Sequence, residues 1–348
     1  MSEAHAILHD LVRGHLMDAA RAEWVFDTMF SGGLDEAQIG AMLALIAQRQ
    51  PTIDELVGGA RAMRRHATPV GRPETGDAKV IDTCGTGGAP KLYNVSTAVA
   101  FLVAAAAGGR VLVAKHGSTS RTGFGSAETL ARLGVGVHNP PDVQAQCLAE
   151  IGVCFSFAVR HHPAMKHAVG PRRSLGFPTI FNVLGPLANP AGADRQLVGC
   201  YKLELAERMA HALARLGAER AWVVCSDEGH DELSTTCVNT VFEVSGAWTR
   251  PTRVDPLDVG LARSTHDELR VADADEATRA VADVIDGTPG PRFDVALLNA
   301  GAALVVGGAA EDLAEGVALS RQAATSGAAR AALDALVERT RGFAEPPA

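Results

Sequence analysis

The sequence predicts an α/β protein, in which a small N-terminal helical domain precedes a larger α/β domain with a mainly parallel central sheet. In the first seventy residues, apolar side chains recur at helical spacing and no strand pattern occurs. From Lys79 onward, short apolar strands alternate with helices, which is typical of a parallel sheet covered on both faces. The length of 348 residues is sufficient for two domains.

Four amphipathic helices are predicted in the N-terminal part, over residues 7–16, 22–30, 35–46 and 52–64. Asp35 and Thr52 are the residue types that cap helix N-termini, and each stands where an apolar repeat begins. We therefore expect residues 1–72 to form the helical domain, with the polar stretch 68–77 as the linker to an α/β domain at 73–348. The apolar faces of these short helices need a partner, either the α/β part or a second copy of the chain.

The α/β part contains alternating strand and helix patterns. Strands are predicted at residues 80–81, 111–114, 153–157, 196–201, 221–225 and 240–244, with 295–298 as a further candidate. Helices are predicted at residues 94–107, 141–150, 205–216, 276–285, 299–306, 313–326 and 328–339. Residues 248–273 show no clear pattern and stay unassigned.

Composition narrows the classes of partner. A net charge of −8 argues against a broad nucleic-acid-binding surface, so small molecules are the expected partners. The six cysteines show no CxxC pair and no secretory segment precedes them, which predicts reduced thiols in a cytoplasmic protein. No apolar run is long enough to span a membrane.

A glycine loop joins the first predicted strand to its helix, in the text KVIDTCGTGGAPKLYNVSTA. Glycines 85, 87 and 88 let a ligand approach the backbone, and Asn94, Ser96 and Thr97 stand where the N–H groups of the first helical turn lack partners. Such a turn is an anion site when a ligand is present, although GTGG alone fits a tight strand-to-helix turn equally well. Lys115 follows the second strand, at the edge where open parallel sheets bind ligands.

Two further segments carry clustered charge. The segment FAVRHHPAMKHAVGPRRSLGFPT contains many basic groups, and on residue types alone a solvated basic helix is an alternative to a binding site. The segment SDEGHDELS places four carboxylates on one loop. An exposed acidic loop is the commoner outcome for such a loop, although an oxygen-only cluster also suits Mg2+. His116 could act as a general base, but its position at a strand end beside Gly117 favours an orienting role.

These motifs occur in a characteristic order: GTGG, NVSTA, AKHG, GSAETLARLG, HPAMK, FNVLGPLANP, GHDEL and ALLNAGAAL. The chain thereby resembles, over nearly its whole length, the anthranilate phosphoribosyltransferases, which have an N-terminal helical domain and belong to a superfamily shared with nucleoside phosphorylases. The resemblance implies transfer of phosphoribosyl from 5-phosphoribosyl 1-diphosphate (PRPP) to anthranilate in tryptophan biosynthesis. It also implies a Mg2+ cofactor, a homodimer formed through the helical domain, and the return of part of 163–195 to that domain.

The resemblance also implies roles for individual residues. Lys115 and Arg172 would be catalytic, with Arg172 contacting the acceptor carboxylate. Asp231 and Glu232 would bind one Mg2+, and Ser96 would help to hold another on the diphosphate. The substrate-binding set would be Gly85, Thr86, Gly87, Gly88, Asn94, Val95, Ser96, Thr97, Lys115, His116, Gly117, Ser118 and Arg172.

The sequence departs from the family pattern at ligand-contact positions. Ala89 replaces an aspartate, Ser118 replaces an asparagine, Pro178 replaces an arginine, and the loop at 118–125 is one residue shorter. These changes leave open a paralogous enzyme with another aromatic acceptor, and a non-catalytic binding protein is a further alternative. A Rossmann dehydrogenase is excluded because the chain has neither GxGxxG nor a ribose-binding acid at the expected place.

Overall fold

The structure is a computed structural model that describes residues 3–73, 76–87, 92–120 and 125–344. Its strands are β1 Lys79–Gly85, β2 Val111–Gly117, β3 Val153–Phe157, β4 Arg195–Gly199, β5 Arg220–Ser226, β6 Asn239–Ser245 and β7 Trp248–Val254. Its helices are α1 Glu3–Val12, α2 Ala19–Phe30, α3 Glu36–Arg49, α4 Ile53–Arg65, α5 Val95–Ala106, α6 Ser126–Arg132, α7 Pro141–Ile151, α8 Ala158–His161, α9 Lys166–Leu175, α10 Phe181–Leu184, α11 Leu203–Arg215, α12 His266–Leu269, α13 Ala274–Ile285, α14 Pro291–Gly307, α15 Leu313–Thr325 and α16 Ala328–Thr340.

The N-terminal helices α1–α4 form a layer whose boundaries follow local capping chemistry. Asp35 and Thr52 each accept a hydrogen bond from a backbone N–H in the first turn, and Gln38 and Glu55 return a bond to the cap backbone. Gly58 lets α4 approach α2 closely, since a Cβ there would lie 2.5 Å from the carbonyl oxygen of Ala19. The helix α9 packs against α2 and α3, so residues far along the chain complete this layer.

The strands of the described residues form one sheet in the order β3-β2-β1-β4-β5-β6-β7. Strands β1 to β5 run parallel to one another, whereas β6 pairs antiparallel with both β5 and the edge strand β7. The chain leaves β1 toward β2 and β3 on one side and later places β4 and β5 on the other. The carboxyl ends of β1 and β4 therefore flank a topological switch point, where open sheets bind ligands.

The sheet separates two apolar clusters. Leu197 and Val224 belong to the cluster that also contains α5 and α14, whereas Val198 and Val223 point the opposite way. The second cluster continues from Val198 and Val223 through α11 into the N-terminal helices. The core of the helical layer is thus continuous with one face of the sheet.

The predicted fold class is confirmed, while two local assignments need correction and one unassigned segment contains regular structure. Residues 295–298 are not a strand but part of α14, an almost wholly buried helix. The first helix ends at Val12 rather than at residue 16. The unassigned segment 248–273 contains the edge strand β7 and the short helix α12. No helix among the described residues is both long and apolar enough to cross a membrane.

Candidate active site

The glycine loop after β1 is held by contacts from other parts of the chain. The N–H of Thr86 donates to the carbonyl oxygen of Gly199 at 2.9 Å, and the N–H of Gly87 donates to Oδ2 of Asp231 at 2.7 Å. Gly87 has φ +66, a left-handed conformation that favours glycine. Gly88 and Ala89, which the sequence singles out, lie outside the described residues.

Gly85 and Gly199 make room for the acidic loop at the ends of β1 and β4. A Cβ at Gly199 would lie 1.5 Å from the carbonyl oxygen of Asp231, and a Cβ at Gly85 would lie 2.6 Å from its Oδ2. Both distances are shorter than any side chain tolerates. The acidic loop therefore crosses the switch point directly above these two glycines.

The ammonium of Lys115 lies between β1 and the start of α5. Its Nζ donates to the carbonyl oxygen of Thr83 at 2.9 Å and to Oγ of Ser96 at 3.0 Å. The side chain is only 3% exposed, and burial lowers the pKa of Lys115 despite the opposing charges of Asp82 and Glu232. Lys115 and Ser96 are thus oriented together at the N-terminus of α5.

The first turn of α5 departs from the expected capping. Asn94 makes no side-chain cap hydrogen bond, because its Oδ1 instead accepts from the Thr129 hydroxyl at 2.8 Å. Val95 is buried in the core, and Oγ1 of Thr97 is buried without a hydrogen-bond partner among the described residues. Of the predicted polar groups, Ser96 is the one whose side chain contacts Lys115.

The four carboxylates of the acidic loop separate into two pairs. Asp227 forms a bidentate pair with Arg253 of β7, and Glu228 accepts from the Thr236 hydroxyl and lies 2.8 Å from Nε2 of His266. Asp231 accepts from the glycine loop, and the Glu232 carboxylate accepts from the backbone N–H of Ser96. The repulsion expected from the sequence is thereby reduced, because only Asp231 and Glu232 face the switch point.

The charges at this point suit a divalent cation. Burial first, and then the charge of Asp231, raise the pKa of Glu232 well above its usual range, while Lys115 acts in the opposite direction. A hard cation would stabilise both ionised carboxylates, and Ser96 offers a further oxygen. The residues present therefore fit Mg2+, the metal that the sequence implies.

A buried polar group supports the end of β2. The N–H of His116 donates to Oδ1 of Asp82 at 3.0 Å, and the pKa of Asp82 is raised by burial. The His116 ring lies 5.0 Å from the His162 ring, and burial lowers the pKa of His116 well below its usual range. His116 is therefore neutral at physiological pH, and its backbone is fixed by Asp82.

The loop at 118–125 follows the end of β2, two residues after His116. A Cβ at Gly117 would lie 2.1 Å from Oγ of Ser126, so glycine is required there. Ser118 is exposed, and its carbonyl oxygen accepts from the N–H of Ala127 at 3.4 Å. Residues 121–124 of this loop lie outside the described residues.

Arg172 lies on α9, with the helical layer rather than with the cluster around Lys115. Its guanidinium carbon is 5.2 Å from the centre of the Phe181 ring, and Phe181 in turn packs edge-on against Phe26. Burial lowers the pKa of Arg172, and no carboxylate of the described residues forms a salt bridge with it. Its positive charge is thus half-buried and available to an acidic ligand.

Three residues that shape the site were missed by the sequence reading. Asp82 is a charged residue inside an apolar strand, and that contrast could have identified it. Asn299 is an amide inside the apolar helix α14 and exchanges hydrogen bonds of 2.7 and 3.0 Å with the Leu233 backbone. Gly199 ends β4 without any local signal that the acidic loop crosses it.

Comparisons with protein families divide the chain as its structure does. The helical bundle domain of a glycosyl transferase family matches residues 5–67, and the a/b domain of the same family matches residues 77–330. Each match concerns a different layer of the fold, and together they span most of the chain.

Several known proteins are similar over nearly their full length. The anthranilate phosphoribosyltransferase of Geobacter sp. (strain M21) is 41% identical, with 96% of this chain and 98% of that protein aligned. The Methylobacterium nodulans protein of the same name is 43% identical, over 95% of this chain and 96% of that protein.

Solved structures show the same likeness. The crystal structure of the Thermus thermophilus anthranilate phosphoribosyltransferase has a TM-score of 0.89 and 34% identity, covering 98% of this chain and 100% of that one. The Saccharomyces cerevisiae enzyme in complex with PRPP and Mg shares the fold, with a TM-score of 0.86 and 22% identity over 98% of this chain and 99% of that one.

Proposed function

This chain belongs to the anthranilate phosphoribosyltransferase family of glycosyltransferases, and on that premise we propose that it transfers phosphoribosyl from PRPP to anthranilate. The products are N-(5-phosphoribosyl)anthranilate and pyrophosphate. The observation that carries the proposal is the crossing of the acidic loop over the glycine loop, where Asp231 and Glu232 meet Gly87 and Ser96. At this crossing, backbone N–H groups that can bind an anion lie next to carboxylates that can bind a cation.

The diphosphate of PRPP would occupy the space above the glycine loop. The N–H groups of Gly87 and Ser96, which hold the carboxylates of Asp231 and Glu232 in this structure, would turn to phosphate oxygens once those carboxylates bind Mg2+. Lys115 would supply a nearby positive charge. Asp231 and Glu232 would hold one Mg2+ and the Ser96 hydroxyl would help to hold another; Mg2+ when bound neutralises charge on the diphosphate.

The acceptor would bind between the end of β2 and α9. The guanidinium of Arg172 matches a carboxylate bidentately and has no carboxylate partner in the described part of the chain. His116, Gly117 and Ser118 would form the opposite wall, because they follow directly along β2 from Lys115. This arrangement would aim the aromatic amine at C1 of the ribose.

Catalysis in this arrangement is electrostatic and positional. The amine lone pair forms the bond to C1 while the bond from C1 to the diphosphate oxygen breaks, and the electron pair of that bond leaves with pyrophosphate. The nitrogen, now bonded to C1, releases one proton to solvent. Lys115 and the amides of Gly87 and Ser96 would stabilise the negative charge that develops on the leaving group. Arg172 contributes by orientation, and no covalent intermediate with the protein is required.

Assembly and location complete the proposal. We place the domain boundary between residues 72 and 73, with α9 from within 163–195 returning to the helical layer, where it packs on α3. The helical layer would form a homodimer, since Val12 and Leu16 are 70% and 56% exposed. The buried cysteine thiols without disulfides suit the cytoplasm.

Turnover with purified protein tests this function. When the protein is incubated with PRPP, Mg2+ and anthranilate, the fluorescence of anthranilate should decrease in proportion to the pyrophosphate released. Arg172→Ala should weaken anthranilate binding by about 1.5–3 kcal/mol, which raises the KM for anthranilate roughly 10- to 150-fold, and should leave the KM for PRPP unchanged. Arg173→Ala, on the exposed neighbouring residue, is the matched control.

A second candidate is a related enzyme with another aromatic acceptor, and the exposed Ser118 favours it. A serine cannot offer the paired donor and acceptor of the asparagine amide. Ser118→Asn should improve the use of anthranilate if only that contact is missing. If a substituted benzoate is turned over faster than anthranilate and Ser118→Asn abolishes activity, the acceptor in the first proposal is wrong while its chemistry holds.

A further inference from the structure

Glu228 and His230 of the acidic loop meet His266 of α12, whereas Asp231 and Glu232 contact Gly87 and Ser96. Nε2 of His230 lies 3.0 Å from Nδ1 of His266, and Nε2 of His266 lies 2.8 Å from Oε2 of Glu228. One ligand atom from each residue falls within 4.8 Å of the others. The phosphoribosyl transfer described above uses none of these three side chains.

The backbone around these residues is fixed from both sides. The N–H of His230 donates to Oγ of Ser226 at 2.8 Å, and the carbonyl of His230 accepts from the N–H of Ser226 at 3.2 Å. On the other side, the hydroxyls of Thr235 and Ser264 are 2.6 Å apart, which joins the two segments next to His266. These hydrogen bonds fix the backbone that positions the three side chains, so their proximity does not depend on long flexible groups alone.

The types of ligand select the class of ion. Two imidazoles and one carboxylate form the nitrogen and oxygen set of borderline first-row transition ions, and His2Glu with an open position is an established zinc arrangement. Mg2+ prefers oxygen ligands alone, as at Asp231 and Glu232. The two sites on one loop thus differ in ligand chemistry and would take different metals.

We propose that Glu228, His230 and His266 form a binding site for a transition-metal ion of the Zn2+ class. Tetrahedral zinc ligands lie roughly 3.3 Å apart, so modest rotation of Glu228 and His266 would close the set. Both side chains are accessible, with exposures of 40% and 43%, and provide an entry path. His230 is 3% exposed and forms the inner wall.

The Thr236 hydroxyl would orient the carboxylate in this site. It donates to Oε2 of Glu228 and lowers the pKa of that carboxyl, so the ligand is ionised at physiological pH. A bound ion would link α12 to the loop that carries Asp231, since His230 directly precedes that residue. Occupancy should therefore restrict the motion of residues 226–232.

Spectroscopic titration tests the site without any assay of turnover. Full-length protein treated with a chelator is titrated with Co2+ in excess Mg2+, and a visible d–d absorption that Zn2+ removes is expected. His266→Gln should weaken Co2+ binding at least tenfold, because even the loss of an outer partner of a metal ligand typically costs 10–100-fold. His15→Gln is the matched control, since His15 is an exposed histidine 3.6 Å from Asp10.

A second readout does not depend on the spectrum. Zn2+ should slow amide hydrogen exchange over residues 226–232 in the parent protein and in His15→Gln, but not in His266→Gln. Circular dichroism in chelator establishes that each variant is folded, and Glu228→Gln replaces His266→Gln if the latter is not. Absence of the Co2+ absorption in the parent, or equal Co2+ affinity in His266→Gln, would show that the three groups only form a hydrogen-bonded chain.

Discussion

Replacement of Gly199 by alanine should displace the acidic loop without changing any side chain that contacts substrate. The added Cβ would lie 1.5 Å from the carbonyl oxygen of Asp231, whereas ordinary contact begins at 3.4 Å. The backbone at Asp231 must therefore retreat by about 1.9 Å, and the hydrogen bond from Gly87 to its carboxylate breaks.

The size of the effect follows from that displacement. A misplacement of about 1 Å at a reacting centre can cost roughly 100-fold in rate, so Gly199→Ala should lose at least that much in kcat/KM for PRPP. Gly85→Ala is a milder version, because its Cβ meets Oδ2 of Asp231 at 2.6 Å but the backbone oxygen of Asp231 only at 3.2 Å, and it displaces the carboxylate by about 0.8 Å. The decrease in kcat/KM for PRPP should be smaller in Gly85→Ala than in Gly199→Ala.

Steady-state kinetics over a range of Mg2+ and PRPP concentrations measure both variants. Gly40→Ala is the control, because no atom lies within 4 Å of a Cβ at that position in α3. Alanine in place of glycine within a helix should stabilise the protein by about 0.5–1 kcal/mol and leave the kinetics unchanged.

The reasoning fails if Gly199→Ala folds and keeps the parental kcat/KM for PRPP, since the loop then need not cross β4. If Gly199→Ala does not fold, Gly85→Ala decides the question, because the carboxylate of Asp231 must move by about 0.8 Å there but its backbone oxygen by only about 0.2 Å. Parental Mg2+ dependence in Gly85→Ala would refute the placement of Asp231 over the glycine loop.

Three further predictions concern stability, metal and assembly. Burial lowers the pKa of His162 to about 4, below its unfolded value of 6.5. Between these two pH values the unfolded chain binds more protons than the folded chain. The free energy of unfolding should therefore fall as the pH drops from 6.5 toward 4, by roughly 3 kcal/mol at most. Urea unfolding of His162→Gln should show a shallower dependence over that range, and an identical slope would contradict the assignment. Changing Asp231 to Asn together with Glu232 to Gln should raise the Mg2+ concentration needed for turnover. Asp227→Asn, which affects the contacts with Arg253 and Thr240, should not. Equal Mg2+ titrations would show that the loop binds no metal. Light scattering at micromolar concentration should give twice the 36.2 kDa of the chain, and a 36.2 kDa particle would exclude the homodimer.

Local chemistry explains which elements could be predicted from sequence. Asp35 and Thr52 mark helix starts because a cap acts within one turn, and the strand at 153–157 was correct because a buried run bounded by turns is distinctive. The run at 295–298 was assigned wrongly because four apolar residues fit a buried helix and a buried strand equally well, and Pro291 at the helix start went unused. The edge strand β7 lacks an apolar pattern because most of it is exposed.

Prediction of the site succeeded only where the sequence itself sets positions. Lys115 and Ser96 come together because a strand end and a helix start at one sheet edge are neighbours in any such fold. The division of the acidic loop could not be predicted, because Arg253 and His266, which bind two of its carboxylates, come from the segment that showed no pattern. Asn94 failed as a cap for the same reason, since its partner Thr129 is distant in sequence.

The continuity of one apolar cluster from the sheet into the N-terminal helices has a consequence for dissecting the protein. Cutting the chain at the 68–77 linker would not release two independent domains. The sheet face that carries Val198 and Val223 would become exposed to solvent, and so would the apolar faces of the N-terminal helices. A truncated chain beginning at residue 73 should therefore aggregate, and a fragment ending there should lack a fixed tertiary structure. The linker therefore separates two sequence domains that cannot fold independently of each other.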